Sequence, residues 1–425
     1  MSKRFFRFLA LTLFVAVFAV IPARAQRGGP PVNLPDGNGK QMVQSVCSGC
    51  HSLTNITQGW GYDKKGWDEL ISSMVKLPDD TRDTVSTYLG EHFSSKTRPP
   101  TVVVPGSLKV GIKEWVVPTL GSRPHDPLAA SDGSIWWSGM WANVLGRLDP
   151  NTGAMHEFKL KTPNSGPHGL IEDKQGNIWF TANTGGYVGE LDPKTGEVIK
   201  EFHMPDPNAK DPHTPKWDIH GNLWFSLENS NMVGRLNPQT GDIKLVTMPQ
   251  PHTNPYGMVM TSKGVPVVCL FNTNAIVSFD LDTMAIKEYK LPDPDARPRR
   301  IAITSDDMIW YADYGRGYLG RLNLATGEVK EWPSPSGPQS QPYGIIAIKD
   351  IIWYNESAVR PNTLVRFDPK TQKFQSWAIP SGGGVVRNMS VTKDGNLAMA
   401  ESGVNRVVSQ SDVRRHGLRD ALHAL

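Results

Sequence analysis

The sequence predicts a seven-bladed β-propeller of four-stranded antiparallel blades, preceded by a small all-α domain. A composition of 40 Gly and 34 Pro among 425 residues is typical of a turn-rich globular protein. A motif containing the strand pattern "G-x-I/L-W" recurs every 43 to 45 residues, which indicates a repeat architecture. Its anchors are Trp136, Trp179, Trp224, Val267, Trp310, Trp353 and Ala398. Each repeat has room for four short strands, so seven anchors predict seven blades.

The first 25 residues have the layout of an export signal. Lys3, Arg4 and Arg7 precede an apolar run over residues 8–21, and Ala23-Arg24-Ala25 offers small residues for cleavage. The run is shorter than the ~20 residues that a membrane span needs. We therefore expect cleavage after residue 25, a periplasmic or otherwise exported protein, and no membrane span after signal cleavage.

The charge of the chain argues against nucleic-acid binding. The formal net charge is +4, and the leader holds four cations and no acid, so 4 − 4 leaves the mature chain near zero. A nucleic-acid-binding surface needs an excess of basic residues to neutralise phosphates. We therefore expect no nucleic-acid partner.

Residues 47–51 read Cys-Ser-Gly-Cys-His, the C-x-x-C-H signature of covalent haem attachment. Cys47 and Cys50 would bind the porphyrin edge and His51 would bind the iron. A structural disulfide between the two cysteines is the alternative. A zinc site is disfavoured because the sequence nearby offers no second ligand pair of suitable spacing.

The segment around this motif has helical patterning. We expect a linker over 26–36 and a haem domain over 37–95, with helices over 39–47, around the apolar positions from Trp67 to Met74, and over 81–93. The stretch resembles class I cytochrome c domains. That resemblance implies one covalent haem c, electron exchange with a soluble or membrane-bound carrier, and a methionine as sixth iron ligand. Met74 matches that position, and Met42 and His92 compete for it.

The boundaries of the linker, the propeller and the tail follow from the composition and from where the repeats begin and end. Residues 96–112 form a Pro-rich linker that either holds the two modules apart or lays one across the other. The propeller covers 113–410, and 411–425 is a C-terminal tail. The last repeat lacks its outer strand, whereas residues 113–117 form an orphan strand before the first repeat. We expect this strand to complete the last blade, because an open ring would leave an unpaired edge.

One position in each blade is polar eleven residues before the anchor, or ten in the shorter sixth blade, where the inner strands enter the central channel. We call these seven residues the axial ring. They are His125, His168, His213, Tyr256, Arg299, Tyr343 and Arg387. As catalytic or binding residues, His acts as a base, Tyr as an acid and Arg as an anion clamp. Three adjacent histidines also suit a metal such as copper, and the alternative is a rim that is polar because it faces solvent.

The repeats "L-W-F-[TS]…[VI]-G-R-L…T-G-x-[IV]-x-E-[FYW]" resemble the streptogramin B lyase family, known for virginiamycin B lyase. That family implies a seven-bladed propeller, two catalytic histidines on consecutive blades, and a glutamate two residues before the second that helps to bind magnesium. His125 and His168 match the histidines, but Gly166 stands in the glutamate's place. Matching the blades near the C-terminus instead gives Arg299 and Tyr343 and no histidine pair.

These features leave three functions open. The first is an exported c-type cytochrome that transfers electrons between its haem and a small substrate, cofactor or partner at the axial ring. The second is a carbon-oxygen lyase with an accessory haem, and the third is a propeller scaffold that docks the cytochrome on a partner. The first two functions would also allow a second metal, copper or magnesium, in the propeller.

Overall fold

Seven four-stranded sheets surround a central channel in the computed structural model, which describes residues 32–48, 53–54, 56, 62–94 and 99–412. Strand β1 (Val110–Val116) precedes the first blade. The strands of blades one to three are β2 (Pro124–Ala129), β3 (Ile135–Gly139), β4 (Val144–Leu148), β5 (Met155–Lys159), β6 (Pro167–Glu172), β7 (Ile178–Ala182), β8 (Tyr187–Leu191), β9 (Val198–His203), β10 (Pro212–Trp217), β11 (Leu223–Leu227), β12 (Met232–Leu236) and β13 (Ile243–Thr247).

Blades four to seven follow the same plan, with the innermost strand first along the chain in every blade. Their strands are β14 (Pro255–Met260), β15 (Pro266–Leu270), β16 (Ala275–Phe279), β17 (Ile286–Lys290), β18 (Pro298–Ile303), β19 (Ile309–Asp313), β20 (Tyr318–Leu322), β21 (Val329–Pro333), β22 (Pro342–Ile348), β23 (Ile351–Glu356), β24 (Thr363–Asp368), β25 (Lys373–Ala378), β26 (Val386–Val391), β27 (Leu397–Glu401) and β28 (Arg406–Asp412). The predicted seven-bladed propeller is confirmed.

Ring closure occurs as the sequence predicts. Strand β1 pairs antiparallel with β28, so the seventh blade has the order β1-β28-β27-β26. The first and last strands of the propeller therefore share one sheet, which removes the edge that an open ring would expose. The strands extend the propeller slightly beyond the expected 113–410, to Val110 and Asp412. Residues 413–425 of the expected tail lie outside the described residues.

Two recurring contacts explain the repeat motif. In four blades, the glycine of the third strand pairs with the aromatic residue that follows the anchor, as Gly146 does with Trp137. A Cβ added at Gly146 would lie 2.0 Å from the Trp137 ring, so only glycine fits there. The anchor ring itself stacks on the aromatic residue of the outer strand, with centroids 5.4 Å apart for Trp136 and Phe158. The conserved spacing within each repeat thus reflects packing between the strands of a blade.

The described part before the propeller contains three helices, α1 (Lys40–Cys47), α2 (Lys64–Met74) and α3 (Asp79–His92). We call the described residues from 32 to 94 the helical unit. Asp63 caps α2, because its side chain accepts a hydrogen bond of 2.8 Å from the Gly66 backbone N–H. Val43, Trp67 and Leu89 are part of its own apolar core. The cytochrome c assignment and the boundaries 26–36 and 37–95 remain predictions.

The described part of the Pro-rich segment lies across the propeller. The Val104 backbone N–H donates to Ser376 Oγ at 2.8 Å, and the Ser376 N–H donates to the Val104 carbonyl at 2.9 Å. Gln375 also donates to the Leu108 carbonyl at 2.7 Å. This segment therefore runs beside β25, the outer strand of blade six. No helix in the described residues is long and apolar enough to cross a membrane, and residues 1–31, which include the expected leader, lie outside them.

Candidate functional site at the channel mouth

The axial ring occupies an irregularity that recurs in all seven innermost strands. Pairing between the first two strands shifts register at the ring position of every blade, for example between Pro124 and Pro127 around His125. A β-bulge turns a side chain away from the regular alternation of a strand. The bulges bring the seven ring positions together at one end of the channel, which we call the mouth.

Hydrogen bonds join the ring backbone from blade to blade. Ser138, two residues after the first anchor, accepts from the Asp126 N–H at 3.0 Å and donates to the His168 carbonyl of the next blade at 2.6 Å. Thr181 makes the equivalent pair of bonds, to Gly169 and His213. The serine or threonine of the "L-W-F-[TS]" pattern therefore fixes the ring position of the following blade.

Cys269 takes the equivalent position in blade four. Its Sγ lies 3.1 Å from the Arg299 carbonyl and 3.5 Å from the Gly257 carbonyl. Burial raises the pKa of the Cys269 thiol to about 12. This cysteine is a buried strand residue and is not a reactive thiolate at neutral pH.

The first three blades contribute histidines whose rings pack against one another at a tilt. The ring centroids of His125 and His168 are 3.7 Å apart, and those of His168 and His213 are 3.8 Å apart. At most 3% of each residue is exposed. His125 Nδ1 lies 2.9 Å from Asp126 Oδ1, and His213 Nδ1 lies 2.8 Å from Thr214 Oγ1. His168 Nδ1 has no hydrogen-bond partner among the described residues.

The electrostatic environment of blades one to three keeps the ring histidines neutral. Burial and nearby cations hold the pKa of all three well below the usual value of a histidine. For His125 the cations, after burial, are Arg387, Arg123, Arg300 and Arg299. Neutral imidazoles can accept a proton or bind a metal.

Blades four to seven contribute tyrosines and arginines. The hydroxyls of Tyr256 and Tyr343 are hydrogen-bonded to each other within the ring. The Arg299 guanidinium lies 3.9 Å from the centroid of Tyr343 and 5.3 Å from that of Tyr256. Phe271 and Tyr314 lie at 4.5 and 4.4 Å from the same guanidinium. Arg299 is thus held among four aromatic rings, a favourable arrangement for a cation.

The two tyrosines differ in acidity. Burial raises the pKa of Tyr256 far above its usual value, and Tyr343 adds to that effect. Burial also disfavours ionisation of Tyr343, but Arg299, Arg387 and Arg300 outweigh it and hold the pKa of Tyr343 below its usual value. Tyr343 is therefore the member of the pair that ionises first.

An ion pair between the residues that directly follow two ring positions joins opposite sides of the channel. Arg300 donates to Asp126 Oδ1 at 3.0 Å, and both side chains are almost completely buried. Asn388 donates to the other oxygen of Asp126 at 2.9 Å. Sequence reasoning missed these residues. They could have been found by reading the residue that follows each ring position. This residue is glycine in three blades, but it is Asp126, Arg300 or Asn388 in three others.

The ring positions are not a solvent-facing rim. His125, His168, His213, Tyr256 and Tyr343 are each at most 3% exposed, so that alternative is wrong for these five. Arg299 and Arg387 keep part of their surface exposed. Arg387 Nε donates to Ser402 Oγ at 2.8 Å. The accessible part of the ring is therefore its arginine side.

A metal-compatible group lies in the histidine half. Ligand atoms of His125, Asp126 and His168 are all within 4.8 Å of one another. This set differs from the three histidines that the sequence suggests for copper, because Asp126 is included and, in the described chain, His213 is not. Neighbouring guanidinium groups oppose a divalent cation there by Coulomb repulsion. Asp126 is also engaged by Arg300 and Asn388.

The helical unit contacts the mouth face of the propeller. The Gly121 N–H, in the loop before β2, donates to the Ser73 carbonyl at 3.0 Å. The Arg360 guanidinium, between β23 and β24, lies 5.6 Å from the Tyr62 ring. Gly382, before β26, lies against the same ring. These loops belong to blades one, six and seven and lie at the end where the innermost strands begin.

The residues expected to hold the haem are partly described. Cys47 is the last residue of α1 and packs against the apolar core of the helical unit. Met74 is the last residue of α2, and a Cβ added at Gly121 would lie 3.0 Å from its carbonyl oxygen. Cys50 and His51 lie outside the described residues. The haem motif and Met74 as an iron ligand therefore remain predictions.

The fold and its ring define a seven-bladed propeller with a polar site on its axis. Residues 106–278, from the end of the linker to the third strand of blade four, match the model of the Virginiamycin B lyase family. No curated protein sequence matches this chain significantly.

Solved structures show the same similarity over the whole propeller. A streptogramin B lyase structure has a TM-score of 0.65 and 25% identity, covering 71% of this chain and 97% of that chain. A catalytically inactive virginiamycin B lyase variant from Staphylococcus aureus, with quinupristin, has a TM-score of 0.65 and 21% identity, covering 71% and 99%. Hydrazine synthase from Kuenenia stuttgartiensis has a TM-score of 0.58 and 13% identity, covering 70% and 98%. The propeller is therefore virginiamycin B lyase-like in fold.

Proposed function

We propose that this protein is an exported c-type cytochrome in which the axial ring binds a small reactant that exchanges electrons with the haem. The observation that carries the proposal is the contact of the helical unit, which contains the C-x-x-C-H start at Cys47, with the mouth of the ring through Gly121 and Ser73. A soluble or membrane-bound electron carrier would complete the exchange.

The described residues fit a haem. Cys47 lies at the end of a helix and against an apolar cluster that includes Ile56, Trp67 and Leu89, as a porphyrin edge requires. Cys47 and Cys50 would hold the group covalently, and His51 and Met74 would bind its iron. A haem held by these residues would supply one-electron chemistry.

The propeller residues supply binding and proton handling. His168 is neutral and buried, and its Nδ1, which has no partner among the described residues, can accept or donate a proton according to its tautomer. Arg299 and Arg387 can orient a negatively charged group, and Tyr343 can exchange a proton beside them. The helical unit contacts loops on the mouth face, and we expect this contact to limit the access of water to these groups.

A lyase is the second candidate, because the streptogramin B lyase structure is 25% identical over nearly its whole length. His125 and His168 match the family's two histidines. Gly166 weighs against it: its φ is +57°, and an added Cβ would lie 2.4 Å from Thr184 Oγ1, so a glutamate does not fit there without rearrangement. The magnesium ligand implied by the family is therefore missing from that place.

Stopped-flow absorbance of the haem tests the proposal. The full exported chain, matured in a host that attaches haem c, is mixed with a panel of small organic and inorganic reductants and oxidants. We expect at least one to change the haem's redox state at a rate that falls about a hundredfold or more in His168→Gln, in line with loss of an acid–base group.

The matched control is His220→Gln, since His220 is an exposed histidine in a turn of blade three. Its rate should equal that of the wild type. Equal rates in His168→Gln and the wild type would assign the propeller to the scaffold function. Metal-dependent opening of a streptogramin B lactone, with no ring-dependent haem reaction, would favour the lyase.

A further inference from the structure

Positive charge exceeds negative charge around the axial ring. Arg123, Arg299, Arg300 and Arg387 all act on His125. Lys216 lies near Arg300 and Asp126, but burial lowers the pKa of its amine and thereby reduces the positive charge that it offers. Asp126 is the acid within this group. Glu228 also interacts with Arg299, and burial raises the pKa of its carboxyl, which reduces the negative charge that it offers.

The carboxylate of Asp126, which lies beside the ring histidines, is already satisfied. Asp126 contacts His125 at 2.9 Å, Arg300 at 3.0 Å and Asn388 at 2.9 Å. Across the described chain, neither Arg299 nor Arg387 has a carboxylate oxygen within 4.0 Å, whereas Arg300 does. Two guanidinium groups at the mouth therefore have no contacting carboxylate among the described residues, although Glu228 acts on Arg299 from a greater distance.

Buried polar atoms also lack partners at this place. His168 Nδ1 is unpartnered among the described residues, although the side chain is almost completely buried. Arg299 Nε is likewise buried without a partner. Buried donors of this kind cost free energy unless a ligand or water satisfies them. Four aromatic rings hold the Arg299 guanidinium, so it cannot swing to a distant partner.

We infer that the mouth binds a small planar oxyanion, a carboxylate or an inorganic one, between Arg299 and Arg387. Arg299 and Arg387 are the ring residues of blades five and seven, on either side of Tyr343 in blade six, and both retain exposed surface. Guanidinium groups bind planar oxyanions through paired hydrogen bonds. Only the identification of this anion as the reactant rests on the proposed function.

Titration calorimetry with the full haem-loaded chain tests this inference. Acetate and nitrite serve as the planar anions, and acetamide serves as the uncharged counterpart of acetate. We expect both anions to bind at least tenfold more tightly than acetamide. Arg387→Gln and Arg299→Gln should each weaken anion binding at least tenfold and leave acetamide unchanged.

Arg321→Gln is the matched control, because Arg321 lies on β20, the third strand of blade five, away from the mouth. Its anion affinity should equal that of the wild type. Two substituted positions keep the test valid if one variant fails to fold, which a thermal melt of each variant shows. Acetate binding no tighter than acetamide, or equal loss in Arg321→Gln, would overturn the inference.

Two other occupants of the mouth, haem propionates and Cu²⁺, would give different binding results. Anion binding that appears only in a Cys47→Ser/Cys50→Ser variant would assign the arginines to haem propionates and overturn the inference. Tighter binding of Cu²⁺ than of any anion, lost in His168→Gln and unchanged in Arg387→Gln, would also overturn it. The proposed function is judged separately, since anions that bind normally without any ring-dependent haem reaction contradict that function alone.

Discussion

The two halves of the axial ring differ in charge and in the way they are held. Blades one to three present three histidines with mutually tilted rings, which burial and neighbouring cations keep neutral. Blades four to seven present two tyrosines and two arginines, with a hydrogen bond between the tyrosines and a guanidinium among aromatic rings. One structural position, repeated seven times, therefore produces a neutral side and a cationic side.

The contrast shows how each side depends on the other. The arginines of blades five and seven lower the pKa of the histidines across the channel, and they also favour ionisation of Tyr343. The Asp126–Arg300 pair joins blade one to blade five and thereby connects the sides directly. Each of the following predictions alters one side or this connection.

The largest effect on stability is expected from breaking the connection. Asp126→Asn leaves Arg300 buried without its carboxylate, and removing one partner of a buried ion pair costs about 3–5 kcal/mol. The free energy of unfolding, measured by urea denaturation, should fall by about that amount.

Glu328→Gln is the control for this change, because the Lys330–Glu328 pair is about half exposed. Exposed ion pairs contribute little, so its unfolding curve should match that of the wild type. Equal curves for Asp126→Asn and Glu328→Gln would mean that the channel pair does not connect the two sides.

The histidine side should make the protein sensitive to acid. The native pKa values lie below the unfolded value of about 6.5, so below that pH the unfolded chain binds protons that the native chain does not. Stability should therefore fall as the pH drops below about 6.5, by about 1.4 kcal/mol per pH unit for each histidine that stays neutral.

Urea denaturation at a series of pH values, with a chelator present, measures this slope. The triple variant His125→Gln/His168→Gln/His213→Gln should have a shallower slope than the wild type, whereas His220→Gln should keep the wild-type slope. An unchanged slope in the triple variant would show that the ring histidines do not remain neutral.

The smallest effect concerns the tyrosine side. Tyr343 should ionise below the usual tyrosine value of about 10, because three arginines outweigh its burial. Ultraviolet absorbance should show one early tyrosine ionisation in the wild type and none in Tyr343→Phe. Tyr256→Phe should retain an early ionisation at a somewhat higher pH, since it loses the hydrogen bond. An early ionisation that persists in Tyr343→Phe would contradict the assignment.

The sequence was sufficient for the propeller because its repeat records local packing. Trp136 and its counterparts stack on the outer strand, and Gly146 makes room for Trp137, so the spacing of these residues predicts four strands per blade. The orphan strand at 113–117 likewise predicts the closure by β1. The seven ring positions could be found by counting from the anchors.

The site's long-range contacts could not be predicted in this way. The pairing of Asp126 with Arg300 joins residues 174 positions apart, and no repeat pattern specifies which blades oppose each other across the channel. The position of the helical unit on the mouth depends on loop contacts such as Gly121 with Ser73, which carry no sequence periodicity. The haem motif lies partly outside the described residues and stays a prediction from sequence.

The most direct test of the account is to measure covalent haem and its response to the ring in one protein. The full chain is exported in a host that matures c-type cytochromes, and the haem is quantified by absorbance and by iron content after denaturation. The account predicts one covalent haem per chain, absent in Cys47→Ser/Cys50→Ser, with a redox reaction that slows in His168→Gln and is unchanged in His220→Gln. A chain that matures without covalent haem would contradict it. A haem whose redox reaction is equally fast in His168→Gln and in the wild type would also contradict it.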